Sequence, residues 1–309
     1  MPLYWFGRRF REGLLDEIAA LDAQRAPAPA SLPELERRVD ALWFEYRTKL
    51  AHRRAPSLAA ELDRRLDVAL YTQQPERMDL GEPTLERHLR NIASLDKVND
   101  TLRSYALFSR LVRRFVDERL PARGESTTLR ILDLASGHGG FPLFLDRHAR
   151  RHGWNWQITG SDYDRNYVAK AQERARIAGQ NVAFVELDAL QMAGLASGDY
   201  DLIVCTQSIH HFRPGQLARM MRESSRVARH GWVLVDSIRG FFFAAAVAGF
   251  IGALTRNPDT IHDGWISLRK MFFPEELRFL ARMAGLDAPD TTMHPPLFVR
   301  CAWSANDAR

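Results

Sequence analysis

An α/β fold with a doubly wound, mostly parallel sheet is what this chain predicts, and three observations carry that expectation. The run ILDLASGHGGF (131–141) joins an apolar strand to a small, Gly-rich turn and then to the apolar start of a helix. Strand-length apolar runs then alternate with helical patterns through residue 238. The intervening helices are also long enough to form βαβ units and cover both faces of a parallel sheet.

Taken in order, TLRILDLA (128–135) predicts a strand and FPLFLDRHARRHG a helix, with Pro142 in its first turn, where a missing N–H costs nothing. WQITGSDY, NVAFVELDA, YDLIVCTQ and WVLVDSI supply the next four strands. DRNYVAKAQERARIAG and GQLARMMRESSRVARHG read as connecting helices, the first capped by Asp164. Before this core, residues 1–82 form an N-terminal helical segment with an Ala/Pro linker at 20–33. Leu35, Val39, Leu42 and Tyr46 mark one amphipathic face, starting near a Ser31 cap, and Leu58, Leu62, Leu66 and Leu70 mark a second. Residues 83–127 are expected as a helical cover and 128–305 as the core, with an insertion at 238–273.

Composition excludes several classes. The 309 residues, 46% hydrophobic and 26% charged, suit an ordinary globular chain, and two distant cysteines argue against a disulfide framework. The N-terminus has no continuous apolar stretch of signal-peptide type, so the cytoplasm is the expected location. Net charge is +5, but only Lys49, Lys97, Lys170 and Lys270 are lysines, and the arginines interleave with acids as on solvated helix faces.

ILDLASGHGGF resembles motif I of the class I S-adenosylmethionine (SAM) methyltransferases, hhDhGxGxG, with Asp133, Gly137 and Gly139 matching and Ala135 in place of the first glycine. GSDYD (160–164) sits where motif II of that family lies, and VELDAL and CTQSIHHF follow at the third and fourth stations. Over residues 75–305 the likeness extends to bacterial small-molecule methyltransferases related to the ubiquinone/menaquinone type. It implies a Rossmann-like seven-stranded sheet with SAM as cofactor. Asp133, Ala135, Gly137 and Gly139 would shape the methionine end of the pocket. Asp162 and Tyr163 would meet the ribose, Asp188 the adenine amine, with Ala189 and Leu190 flanking the ring. A dinucleotide fingerprint fails because Pro142 stands where its third glycine belongs.

Methyl transfer to oxygen or carbon benefits from a base, and His211 and His262 are the candidates, on loops expected at the carboxyl edge of the sheet. His262 is followed by Asp263, and His210 neighbours His211. FFFAAAVAGFIGAL (241–254) is too short to span a bilayer and reads as an apolar lid, continued by Trp265, Met271, Phe272 and Phe273. The expected acceptor is therefore a small apolar or aromatic molecule, with no metal. No [ND]PP[YF] run follows the fourth strand, which argues against nucleic acid. The alternatives are a membrane-associated quinone- or lipid-type methyltransferase and a catalytically silent binding protein acting through its N-terminal helices. Peripheral membrane contact and a homo-oligomer stay open at this level.

Overall fold

A computed structural model describes residues 4–25, 27–76, 94, 97–99, 101–120, 127–255, 257–287, 289–295 and 298–305. Most of the helical stretch expected between 83 and 100 lies outside the described residues, as do 121–126. One seven-stranded sheet is built from β1 (Leu129–Asp133), β2 (Trp156–Asp162), β3 (Ala183–Glu186), β4 (Tyr200–Thr206), β5 (Ala228–Ser237), β6 (Asp290–His294) and β7 (Phe298–Ser304). Its order is β3-β2-β1-β4-β5-β7-β6. The first five strands are parallel, and β7 runs antiparallel between β5 and β6. The chain leaves β1 toward β2 and returns to β4 on the other side, so the topological switch point, where open α/β sheets bind ligands, lies at the carboxyl ends of β1 and β4.

Side chains alternate across the pleat into two apolar layers. Ile131, Val204 and Val233 enter one layer with α4 (Ser104–Arg119), α5 (Gly140–Arg151) and α6 (Arg165–Ile177). Leu132, Ile203 and Leu234 enter the other, which includes α7 (Pro214–Val227) and α10 (Pro274–Met283). This second layer also takes in the N-terminal helices α1 (Tyr4–Arg25) and α2 (Leu32–His52), with α3 (Leu58–Leu70) beside them. Ser31 caps α2 by accepting from the Glu34 N–H, and Leu35, Val39, Leu42 and Tyr46 are buried as their spacing predicts. Gly215 admits the close approach of α2 to α7, since a Cβ there would lie 2.2 Å from the Glu36 carbonyl oxygen. Its N–H donates to Asp40 Oδ1 at 2.7 Å.

Three expectations are corrected. The 20–33 linker is shorter than its composition suggests, because α1 continues to Arg25. Ala228–Gly231, read as the end of a connecting helix, is instead the start of β5, which follows α7 directly. The face of α3 is inverted over its first two turns only, since Leu70 is buried as its spacing predicts and Leu66 is half-buried. Leu58 is 91% exposed and Leu62 is exposed, while Ala60, Asp63, Arg64, Asp67 and Leu70 point inward. Charge explains the inversion: Asp63 pairs with buried Arg11, and Asp67 pairs with Arg47 at 2.8 Å and with fully buried Arg239. Turning α3 to bury its leucines would take one carboxylate from each of these guanidinium groups, leaving Arg239 on Glu276 and Arg11 on Glu275, and would bring Asp63 and Asp67 out of their ion pairs.

The insertion holds two helices, α8 (Phe241–Thr255) and α9 (Pro258–Lys270), packed on each other through Ala244, Val247, Trp265, Leu268 and Met271. Gly264 permits that contact, because a Cβ there would meet Ile251 Cδ1 at 2.7 Å. Among the described residues, no helix is long and apolar enough to cross a membrane.

The inverted α3 sets a clear expectation for urea unfolding. Leu58→Lys should change stability by no more than about 0.5 kcal/mol, whereas Asp67→Ala should cost up to about 3–5 kcal/mol by removing one of the two carboxylates that meet buried Arg239. Equal effects of the two substitutions would contradict the orientation described.

Candidate active site

The turn after β1 is held by its own backbone. Leu134 N–H donates to the Val204 carbonyl at 2.8 Å and Ser136 N–H to the Ser161 carbonyl at 2.8 Å, which ties β1, β2 and β4 together at their carboxyl ends. Ala135, Gly137 and Gly139 all adopt positive φ, at 51°, 54° and 80°. Ala135 thus keeps the left-handed conformation of the glycine it replaces, at a cost of about 1–2 kcal/mol. Gly139 is required twice over, because a Cβ would also lie 2.6 Å from Phe184 Cζ.

Asp133 closes β1 with its carboxylate buried. Its Oδ2 accepts from Ser136 Oγ at 2.8 Å, and its Oδ1 has no hydrogen-bond partner. Burial pushes this carboxyl up to about 8, opposed by the Ser136 hydrogen bond and reinforced by the charge of Asp162. An orphaned acceptor beside a glycine turn fits a cationic amine donor. Asp162, at the end of β2, accepts from Gly137 N–H at 2.9 Å and from Asp164 N–H at 3.0 Å, one on each oxygen. Burial raises its pKa above the usual carboxylate range. Tyr163 beside it is exposed, and Asp164 caps α6 by accepting from Asn166 N–H. After β3, exposed Asp188 accepts from Leu190 N–H at 2.8 Å, with Ala189 buried between them and Leu190 half-buried.

A second group meets this turn from the β4 side. Ser208 Oγ donates to the Ala135 carbonyl at 3.1 Å, and residues Ile209–His211 form one 3-10 turn beyond it. His210 is buried, with Nδ1 2.8 Å from Asp236 Oδ2 on β5 and Nε2 3.6 Å from Glu76 Oε1. His211 is more open, and its Nδ1 lies 3.8 Å from the same oxygen. Lys270 Nζ, at the end of α9, stands 2.8 Å from it. Glu76, His210 and His211 offer ligand atoms within 4.8 Å of one another, a spacing that a divalent ion could use. The Lys270 ammonium already brings a protein cation to that carboxylate.

His262 belongs to the insertion. It sits on helix α9 rather than on the expected loop, and its Nδ1 is 3.1 Å from Asp263 Oδ1, so these sequence neighbours do touch. Phe272 and Phe273 are core rather than pocket lining: Phe272 packs edge-on against Trp43, and Arg11 lies over Phe273. Sequence reasoning passed over Glu76, Lys270 and Asp236. Asp236 carried a usable signal, an acid inside the apolar strand WVLVDSI.

Residues 131–231 match a family described as a methyltransferase domain. A ubiquinone biosynthesis O-methyltransferase of Pseudomonas aeruginosa (strain UCBPP-PA14) is 28% identical over 181 residues, covering 57% of this chain and 70% of that protein. A non-reducing polyketide synthase of Emericella nidulans is 28% identical over 156 residues, which are 48% of this chain and 6% of the synthase. In fold, a Methanococcus maripaludis structure assigned as a SAM-dependent methyltransferase superposes with a TM-score of 0.50 at 18% identity, over 72% of this chain and 95% of that one. Sheet order and glycine turn are those of the Rossmann-like methyltransferases. The chain is therefore a SAM-dependent methyltransferase with SAM as cofactor, and it is similar to the ubiquinone biosynthesis O-methyltransferases.

Asp133 sets a pH dependence for the free protein. Its folded pKa near 8 lies above the ordinary value near 3.9, so its contribution to stability is full below about pH 4 and is lost as pH rises toward 8. Urea unfolding between pH 5 and 8 should therefore show falling stability, by at most about 1.4 kcal/mol per pH unit. Asp133→Asn should flatten that slope; an unchanged slope would mean that Asp133 is not the group responsible.

Proposed function

We propose that this methyltransferase acts on a small apolar or aromatic acceptor, at oxygen or carbon, with His211 as the base. The observation that carries the reading is the Ser208–Ala135 hydrogen bond, which sets the histidine pair beside the cofactor turn at one edge of the sheet. Bound SAM supplies a methyl group on a sulfonium, and the protein's task is to align the acceptor and receive its proton. The orphaned Asp133 oxygen and the turn through Ala135, Gly137 and Gly139 take the methionine end, and the donor accepted by Asp133 is the amino group. Asp162, with Tyr163 beside it, takes the ribose through lone pairs not used by Gly137 and Asp164. Asp188 takes the adenine amine, and Ala189 and Leu190 flank the ring. His211 would receive the acceptor proton, and the bound cofactor would supply the methyl group. His262, partnered with Asp263 on α9, is the weaker candidate. The ubiquinone O-methyltransferase and polyketide synthase relatives support an aromatic acceptor without choosing between oxygen and carbon.

Calorimetric titration with SAM and S-adenosylhomocysteine tests the cofactor half. Asp162→Ala should weaken both by about 1.5–3 kcal/mol for each charge-assisted bond lost. Unchanged affinity would remove Asp162 from the site. The acceptor half is tested by screening catechols and other phenols for S-adenosylhomocysteine formation. With any phenol that turns over, His211→Gln should lower the rate by about 10²–10⁴, and His262→Gln should not.

A second reading, a membrane-borne quinone- or lipid-type acceptor, is favoured by α8. Among its described side chains only Ala244 and Ile251 are buried, no residue of the helix is charged, and Phe241 faces solvent. Co-sedimentation with phosphatidylglycerol vesicles, reduced by Phe241→Glu, would support it. Absence of vesicle binding would leave the soluble acceptor.

A further inference from the structure

We propose that the N-terminal segment completes the acceptor site, with Glu76 as the positioning residue that orients the histidine pair after β4. The inference builds on the His211 reading but is tested apart from it. Glu76 lies six residues past the end of α3, outside the sheet, and is 2% exposed. Burying a carboxylate costs several kcal/mol unless cations meet it. Burial alone would push Glu76 up, yet His211, His210 and Lys270 outweigh it and hold the carboxyl below its ordinary range. One cation, Lys270 at 2.8 Å, suffices for an ion pair. Two imidazoles also turn toward the same oxygen, at 3.6 and 3.8 Å, and Asp236 grips His210 from behind at 2.8 Å. Carboxylates on both sides of an imidazole fix its ring and decide which nitrogen carries the proton.

The route that brings Glu76 there is itself anchored. The Leu70 carbonyl accepts from Arg269 Nε at 2.7 Å, next to Lys270. Tyr71 accepts from Trp43 Nε1 at 2.9 Å and lies against Arg47 and Arg239. Arg239 bonds Asp67 of α3, Glu276 of α10 and the Met271 carbonyl. It precedes α8 and Met271 follows α9, so one guanidinium ties both ends of that helix pair to the N-terminal segment. The docking of α1–α3 therefore places Glu76 between the histidines and the end of α9.

The test uses the full chain saturated with S-adenosylhomocysteine and 15N-labelled on histidine. In Glu76→Gln, the His210 Nε2 and His211 Nδ1 resonances should shift, and Glu76→Asp should move them back toward the parent positions. Affinity for S-adenosylhomocysteine should stay within twofold in both variants. Unmoved imidazole resonances in folded Glu76→Gln would reduce Glu76 to a partner of Lys270 and overturn the proposal. A measurement on the unsubstituted chain covers the case in which that variant does not fold. The Glu76 carboxyl 13C should follow the histidine titration on a background of Asp236 and Lys270, and a carboxyl signal blind to that titration would equally overturn it. Neither readout needs turnover. If His211→Gln left the rate intact, the base reading would fail while these spectra still decided the role of Glu76.

Discussion

The fully buried guanidinium of Arg239 is the constraint on which the rest of this structure leans. Its desolvation is worth several kcal/mol against folding unless carboxylates meet it, and Asp67 and Glu276 both do. The aromatic faces of Tyr71 and Phe273 lie within 5.0 Å of it and shield the pair from water. Burial pushes Asp67 up, but Arg239, Arg47 and Arg11 prevail and keep it ionised. A parallel pair, Arg11 with Asp63 and Glu275, repeats the arrangement one helix away. Such networks specify orientation more than they add stability. Here they set how the N-terminal helices sit on α10 and where the insertion begins and ends.

That orientation reaches the chemistry at the carboxyl edge of the sheet. Backbone bonds among β1, β2 and β4 hold the cofactor turn rigid. The histidine pair is joined to it through a single hydroxyl, Ser208. Opposite charges from β5 and from the N-terminal segment then steady the pair. The glycine turn proposed for the cofactor is thus built by local chain geometry, and the histidine cluster proposed for the acceptor by elements far apart in sequence.

Legibility in the sequence follows the same division. The β1 turn was readable because it needs particular residues at fixed offsets: an acid ending the strand and positive φ at 135, 137 and 139. Asp162 and Asp188 were readable because a parallel sheet puts strand ends on one edge. The α3 face was misread, since leucine periodicity predicts burial only where no buried charge competes. His262, expected on a loop, lies on α9, which Asn257 caps and Pro258 opens. Glu76 carried no local signal at all; its partners lie more than a hundred residues away.

By itself, then, the sequence determined the sheet, the cofactor turn and the acids along its edge, because these rest on local steric rules and on period-two burial. Only the tertiary structure decided which face of α3 turns inward, that Ser208 joins the histidine pair to the glycine turn, and that Glu76 of the N-terminal segment meets that pair. Those outcomes depend on pairing buried charges across long separations, where each partner's burial is favourable only once the other has arrived.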